Sequence, residues 1–261
     1  MNAAVNTAAP LLQVNDLSMR FGGLLAVDGV SFEVQPKEIF AIIGPNGAGK
    51  TTVFNCISGF YRPSGGQIAL ETQRITGYSS HKVANCGIVR TFQNVRLFKG
   101  MTVLENLLVA MHRYAGAPLL AGLFNTASYR RAEAEKIDYA MRWLGEVGLR
   151  PFANRTAGTL AYGHQRRLEI ARCMITNPRL LMLDEPAAGL NPQEKKELSA
   201  LIDRLRQNNP IAVLLIEHDM KLVMGVSERI LVMEYGRPLA TGTPEAIQHN
   251  ERVIKAYLGE A

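Results

Sequence analysis

Gly44-Pro45-Asn46-Gly47-Ala48-Gly49-Lys50-Thr51-Thr52 decides the fold. It follows the apolar run Ile39–Ile43 and leads into an apolar-periodic segment that continues to Ser58. From Gly44 to Thr51 it satisfies G-x-x-x-x-G-K-[ST], and a strand before and a helix after are the setting that pattern needs. The first turn of a helix carries unpaired N–H groups and a partial positive charge, which suit an anion. Gly44, Gly47 and Gly49 have no side chains in the way, so the loop can close around phosphate oxygens as a nest. Lys50 then bridges the β- and γ-phosphates and the Thr51 hydroxyl ligates Mg²⁺. Taken alone, the stretch predicts a nucleoside-triphosphate binder, with a glycine loop that merely turns a corner as the alternative.

The 261 residues are enough for one large α/β domain or two modest ones. Hydrophobic residues make up 47% and charged residues 20%, the balance of an ordinary globular protein. Apolar runs such as Ile211–Ile216 are strand-sized and well short of the roughly 20 residues that span a bilayer. Residues 1–10 have neither a basic region nor a long apolar core, so they read as a flexible extension rather than a secretory signal. Cys56, Cys86 and Cys173 stand singly without metal spacing and read as thiols in a reducing compartment. The net charge of +6 admits nucleic acid, an anionic membrane surface or simply a solvated basic face.

Taken in order, Leu11–Arg20 and Leu24–Val34 read as antiparallel strands on either side of a Phe21-Gly-Gly23 turn. Pro63–Gly66 is a turn before a short strand at Gln67–Leu70, Ser79–Asn85 a short helix, and Ile88–Thr91 a strand that delivers Gln93. Thr102 and Glu105 form a capping box for a helix to about Met111. Ala115–Phe124, small and apolar, reads as a loop or short helix. A long helix from Ser128 to Val147 should bury Ile137, Ala140, Met141, Leu144 and Val147, and Gly148-Leu-Arg-Pro151 ends it. A helix from Gly163 to Ile175 follows. Leu180–Leu183 and Ile211–Ile216 are buried strands with a helix from Pro192 to Gln207 between them. Ile230–Met233 and Pro238–Thr241 form a hairpin, and helices start at Pro244 and Glu251. The expected fold is α/β: a mostly parallel sheet with an antiparallel β subdomain and an inserted helical subdomain. The expected division is 11–92 and 169–243 for the core, 93–168 for the helical insert and 244–261 for the terminal helices.

Asp184 and Glu185 end the strand Leu180–Leu183, at the carboxyl edge where ligands bind in such sheets. Asp184 can hold the metal that Thr51 touches, and Glu185 can orient or deprotonate the attacking water. A solvent-facing acidic pair is the alternative. His218 ends the next apolar strand, either as a structural histidine or aimed at a γ-phosphate. Gln93 can reach the water or the metal. Phe21 is either a core aromatic or a platform for a base. The glycine in Leu160-Ala161-Tyr162-Gly163-His164-Gln165 opens a second positive helix end. One nucleotide does not need two such ends, so this one suits a nucleotide held by another chain, and a dimer is expected.

The order of these motifs resembles the ATP-binding-cassette (ABC) ATPases, with the P-loop NTPase (RecA-like) core. Gly44–Thr52 is similar to their Walker A motif, Gln93 to the Q-loop, and Leu160–Gln165 to the signature motif. Leu180–Glu185 is similar to Walker B, Ala188–Asn191 to the D-loop, His218 to the switch histidine and Phe21 to the adenine-stacking aromatic. The resemblance implies two cassettes that sandwich two ATP molecules with Mg²⁺, Ala161, Tyr162 and Gly163 reaching across the dimer. It also implies transmembrane permease subunits whose cytoplasmic loop docks in a groove, and a peripheral place on the cytoplasmic face of the inner membrane. Within the family, the chain resembles ATP-binding subunits of branched-chain amino-acid importers, which implies a periplasmic solute-binding protein as an indirect partner. Lipopolysaccharide-export ATPases are the neighbouring alternative, but these usually have Ser-Gly-Gly where Ala161-Tyr162-Gly163 stands.

Ala161 lacks the usual signature serine hydroxyl, a loss of roughly 1.5–3 kcal/mol for a hydrogen bond to a charged group. Asn191 replaces the usual D-loop aspartate and His164 the usual signature glutamine. A heterodimer with unequal sites tolerates such departures better than a homodimer. A soluble ABC ATPase acting on nucleic acid or ribosomes usually has tandem cassettes or a long coiled coil, and a phosphate-loop kinase needs an acceptor site. The sequence displays none of these, so no nucleic-acid partner is expected.

Overall fold

The protein is described by a computed structural model at residues 9–111 and 127–258. The Ala115–Phe124 stretch lies outside the described residues. Strands β1 (Leu12–Phe21) and β2 (Leu24–Val34) pair antiparallel. β1 buries Leu12 and Val14 and then Leu17 and Met19; the alternation skips a residue at Asp16, whose φ is 48°. The register with β2 shifts there, so a bulge returns the apolar side chains to the inner face. β3 (Ile39–Ile43) is buried at every position, as in a strand covered on both faces. It feeds the phosphate loop and α1 (Lys50–Ile57). β4 (Gly65–Leu70) and β5 (Gln73–Arg74) complete a four-stranded sheet ordered β2-β1-β4-β5. β5 adds to the sequence expectation, because two exposed polar residues carry no periodic signal.

After α2 (Ser80–Asn85) and β6 (Ile88–Arg90), the helix α3 (Val103–Met111) opens with the predicted capping box. Thr102 Oγ1 accepts from the Glu105 N–H at 3.1 Å, and Glu105 Oε2 accepts from the Thr102 N–H at 2.8 Å. In α4 (Ala127–Glu146) the expected apolar face needs correction. Ala140 and Leu144 are buried, as is Val147 just past its end, but Met141 is half-buried and Ile137 is 40% exposed. Burial along the described part of the helix begins only at Ala140, and Trp143 completes the i, i+3, i+4, i+7 face there. Gly148, with φ 73°, terminates the segment in the left-handed region.

The remaining elements are α5 (Tyr162–Met174), β7 (Leu180–Asp184), α6 (Pro192–Asn208) and β8 (Ala212–Ile216). They are followed by α7 (Met220–Val226), β9 (Arg229–Glu234), β10 (Arg237–Gly242), α8 (Pro244–Gln248) and α9 (Glu251–Leu258). α7 is a further addition, although Asp219 announces it: its carboxylate accepts from the Leu222 N–H at 3.2 Å as an N-cap. The second sheet has the order β10-β9-β3-β8-β7-β6, parallel throughout except for the β9–β10 hairpin.

The chain divides into two compact units. The first holds the described residues up to Arg90, Arg179–Ala188 and those from Lys195 onward. The second holds the described part of Thr91–Pro178 together with Gly189–Glu194. It runs past the expected boundary at residue 168 because Tyr162–Met174 is one unbroken helix. In the first unit one apolar cluster joins Leu12 and Leu17 of the antiparallel sheet, Val53 and Phe54 of α1, and Met182 and Leu214 of the parallel sheet. Phe32 stacks on Phe40 at 5.2 Å between ring centres. Leu214 is fully buried on the central strand β8. Leu214→Ala should cost about 2–5 kcal/mol, the transfer and cavity loss of such a truncation. Urea unfolding with an unchanged slope and a lowered midpoint is the expected result, and an unshifted midpoint would contradict this placement of the core.

Candidate active site

The order β3-β8-β7 brings three strand ends to one edge of the parallel sheet: β3 ends before Gly44, β8 before Glu217, and β7 at Asp184. Such an edge is where open α/β sheets bind ligands. A cleft of about 460 Å³ lies there, lined by Asn46, Gly47, Ala48, Gly49, Lys50, Thr51, Thr52 and Glu185, with Leu24–Ala26, Tyr235 and Gly236 as its other wall. Its size suits a nucleotide-sized ligand.

The loop's shape is forced locally. Gly44 adopts φ 151°, and a Cβ there would collide with the Met233 carbonyl oxygen. Gly49 caps α1 at φ 92°, and a Cβ there would come within 2.6 Å of the Ala26 carbonyl oxygen. No side chain caps this helix, so no capping side chain takes up its first-turn N–H groups, the arrangement that suits an anion. Lys50 Nζ donates to the carbonyl oxygens of Gly44 at 2.7 Å and Pro45 at 2.9 Å, which folds the ammonium back over its own loop. Burial pulls the Lys50 pKa below the usual lysine value, while the Glu185 and Asp184 carboxylates push it back up. The Gly236 N–H donates to the Ala48 carbonyl, and the Gly236 carbonyl accepts from the Asp28 N–H, so the β9–β10 hairpin tip braces the loop.

Glu185 is half-buried and lies at φ 45°. That conformation costs a non-glycine residue roughly 1–2 kcal/mol, and it turns the chain away from the strand direction. Its N–H donates to the Ile216 carbonyl at 2.9 Å and its carbonyl accepts from the Ala188 N–H at 3.2 Å. Asp184 is buried, and its Oδ2 takes a 2.6 Å bond from Arg90. The same guanidinium donates to Asn55 Oδ1 at 2.6 Å and Ser58 Oγ at 3.1 Å, both on or just after α1. Arg90 thereby locks the acidic strand end to the phosphate-loop helix, a role that its sequence position does not suggest.

Thr51 is exposed at the loop's end. Among the described residues there is no group of three or more metal-ligating side chains. A hydroxyl such as that of Thr51 and a carboxylate such as that of Asp184 are oxygen donors of the kind that suits Mg²⁺. His218 is exposed at the end of β8 and does not line the cleft. Phe21 also lies outside the lining; it is 41% exposed and packs edge-on against Tyr61 at 5.3 Å. Its strand partner Leu24 does line the cleft.

Gln93, Ala161, Tyr162 and Gly163 belong to the second unit, where a fully buried Arg166 ties the Gln93 loop to the start of α5. Arg166 donates to the Phe92 carbonyl at 2.7 Å, the Gln93 carbonyl at 2.8 Å and the Tyr162 hydroxyl at 3.2 Å, and pairs with Glu169 at 2.8 Å. Glu169 also accepts from the Arg96 N–H at 3.2 Å; burial raises its pKa against the pull of Arg166. β6 ends at Arg90, so Gln93 sits on the clamped loop rather than at the strand end. Ala161 is the N-cap of α5 and makes no side-chain cap bond. His164 packs its ring on Phe152 at 5.0 Å. Asn191 caps a helix. Its Oδ1 accepts from the Glu194 N–H at 2.9 Å, while Glu194 Oε2 accepts from the Asn191 N–H at 2.9 Å. This is a capping box for α6, legible in the sequence as Asn191-Pro192-x-Glu194.

Fold and cleft define a nucleotide-binding cassette, and the comparisons agree. Residues 27–188 match the ABC transporter family, and residues 237–261 match the branched-chain amino acid ATP-binding cassette transporter family. The chain therefore belongs to the ABC transporter ATP-binding proteins. It is 64% identical to the high-affinity branched-chain amino acid transport ATP-binding protein BraF of Pseudomonas aeruginosa, over 97% of this chain and 99% of that one. It is 61% identical, with the same coverage, to the corresponding protein LivG of Escherichia coli K12. Among solved structures, a nucleotide-free ATP-binding cassette from an ABC transporter superposes with a TM-score of 0.83 at 32% identity, covering 96% of this chain and all of the other.

Removing one partner of a buried ion pair costs about 3–5 kcal/mol because the other charge is left unpaired. Arg90→Ala should destabilise the protein by that amount in chemical denaturation, and adding Asp184→Asn should restore much of the loss. Equal stability of Arg90→Ala and the parent would remove Arg90 from this role.

Proposed function

We propose that this chain is the ATP-hydrolysing subunit that powers high-affinity uptake of branched-chain amino acids through a membrane permease. The observation that carries the reading is the 64% identity to BraF over 97% of the chain, joined to a cleft in which the phosphate loop faces Glu185. No helix of the described residues is long and apolar enough to cross a membrane. In this reading the permease is a separate partner, and this subunit attaches to it from the cytoplasmic face. We read the second, helical unit as the part that docks on the permease.

The loop N–H groups and Lys50 hold the phosphates, and Phe21, braced by Tyr61, stacks on the adenine. Thr51 and Asp184 would hold Mg²⁺, which supplies charge neutralisation at the phosphates when bound. Glu185 accepts the proton of the attacking water, and His218 and Gln93 orient the γ-phosphate and the water. Ala161, Tyr162 and Gly163 complete the site of a second ATPase subunit. A distinct second subunit suits a signature stretch that lacks the serine hydroxyl.

Glu185→Gln should keep ATP binding while turnover falls at least about 10²-fold, the order that general-base catalysis supplies; near-normal hydrolysis would remove Glu185 from that role. Lys50→Ala should abolish tight ATP binding in a calorimetric titration, and an unchanged affinity would refute its phosphate contact. For the transport reading, the chain reconstituted in proteoliposomes with its permease, the second ATPase subunit and the solute-binding protein should support uptake of labelled leucine only with ATP in the compartment that the chain faces. ATP hydrolysis without solute-stimulated uptake would reject the assigned cargo.

A further inference from the structure

Glu217 is a buried carboxylate that the hydrolytic scheme does not use. Its side chain is fully buried at the end of β8, next to the exposed His218. Burying a carboxylate is unfavourable unless its oxygens are bonded. Here Oε1 accepts from the Ala187 N–H at 2.7 Å, and Oε2 accepts from the His218 N–H at 3.1 Å and the Asp219 N–H at 3.4 Å. The His218 Nδ1 stands 3.9 Å from the same Oε2. Ala187 lies two residues beyond Glu185, in the turn that follows the strained φ of that residue. One carboxylate thus bridges the loop after β7 to the loop after β8. A side chain needed only to seal a strand end would bond to its own loop; this one holds two loops, each carrying a residue assigned to hydrolysis.

We propose that Glu217 is a positioning residue that fixes the His218 backbone relative to the Glu185 turn, an inference that rests on the roles given to His218 and Glu185 above. The position needs acceptors on both oxygens. An amide of the same shape offers one acceptor and one NH₂ donor, so whichever way it is placed, a donor faces a backbone N–H and one loop is released. The neighbouring ion pair Lys195–Asp219, at 2.7 Å, holds the far side of the same loop through contacts that do not involve Glu217. Misplacement of a reacting group by about 1 Å costs on the order of 10²-fold in rate.

The test is steady-state ATP hydrolysis in permease-containing proteoliposomes. Glu217→Gln should lower kcat roughly 10- to 100-fold, with KM and nucleotide affinity near the parent values. In a His218→Ala background the same change should cost markedly less, because the group being positioned is gone. A kcat at the parent level, a loss confined to KM, or a loss that does not shrink beside His218→Ala overturns the assignment. Glu217→Asp keeps a carboxylate at the site but is one methylene too short to hold both loops, and it carries the same expectations if the glutamine variant does not fold; failure of both to fold makes Glu217 a structural prop and also overturns it. Glu185→Gln and His218→Ala are measured alongside. If both lose turnover while Glu217→Gln does not, only this inference falls; if His218→Ala turns over like the parent, the hydrolytic reading falls with it.

Discussion

A phosphate site made of backbone, as proposed for Gly44–Thr52, needs N–H groups that the protein itself leaves unbonded. α1 begins without a side-chain cap, and Gly49 enters it from the left-handed region. Unpaired donors favour collapse onto any nearby acceptor, so the loop has to be held open. The Lys50 ammonium holds the Gly44 and Pro45 carbonyls from inside, and the Gly236 N–H holds the Ala48 carbonyl from outside. The cleft is therefore a shape maintained by polar contacts at its rim, while the apolar cluster beneath it fixes where the rim stands.

The acidic end of the site is held by the same means with the opposite sign. Asp184 is secured by a cation, Arg90, and Glu217 by three backbone N–H groups. The first anchors β7 to α1, the second anchors β7 to β8. Between them the Glu185 turn is fixed on two sides, which is what allows a residue at an unfavourable φ to persist there. In the second unit Arg166 plays the corresponding part for the loop that carries Gln93, gripping it through two backbone carbonyls.

What the sequence discloses and what it conceals divide by range. The phosphate loop, the Thr102–Glu105 capping box and the fully apolar strands β3, β7 and β8 are written within a few consecutive residues, and each is legible. Asn191 reads as a lapse from a motif, yet Pro192 and Glu194 beside it spell a helix start; that signal is local and easily passed over. Arg90, Arg166 and Glu217 are different. Each is a buried charge with at least one partner far along the chain, and no spacing rule marks a charge as buried before the fold is known. Ile137 departs from expectation on a finer scale: its periodic position is right, but it stays 40% exposed one turn before burial along α4 begins at Ala140.

The hairpin tip that braces the phosphate loop has a bearing on how the protein is made. β3 takes both of its sheet neighbours, β8 and β9, from the last third of the chain, and Gly236 supplies the outer support of a loop whose own residues end at Thr52. A ribosome delivers the loop early and its supports late. The nucleotide site therefore cannot be assembled on the emerging chain until the hairpin has left the exit tunnel, and contacts of such separation close slowly. The phosphate loop is synthesised first and finished last.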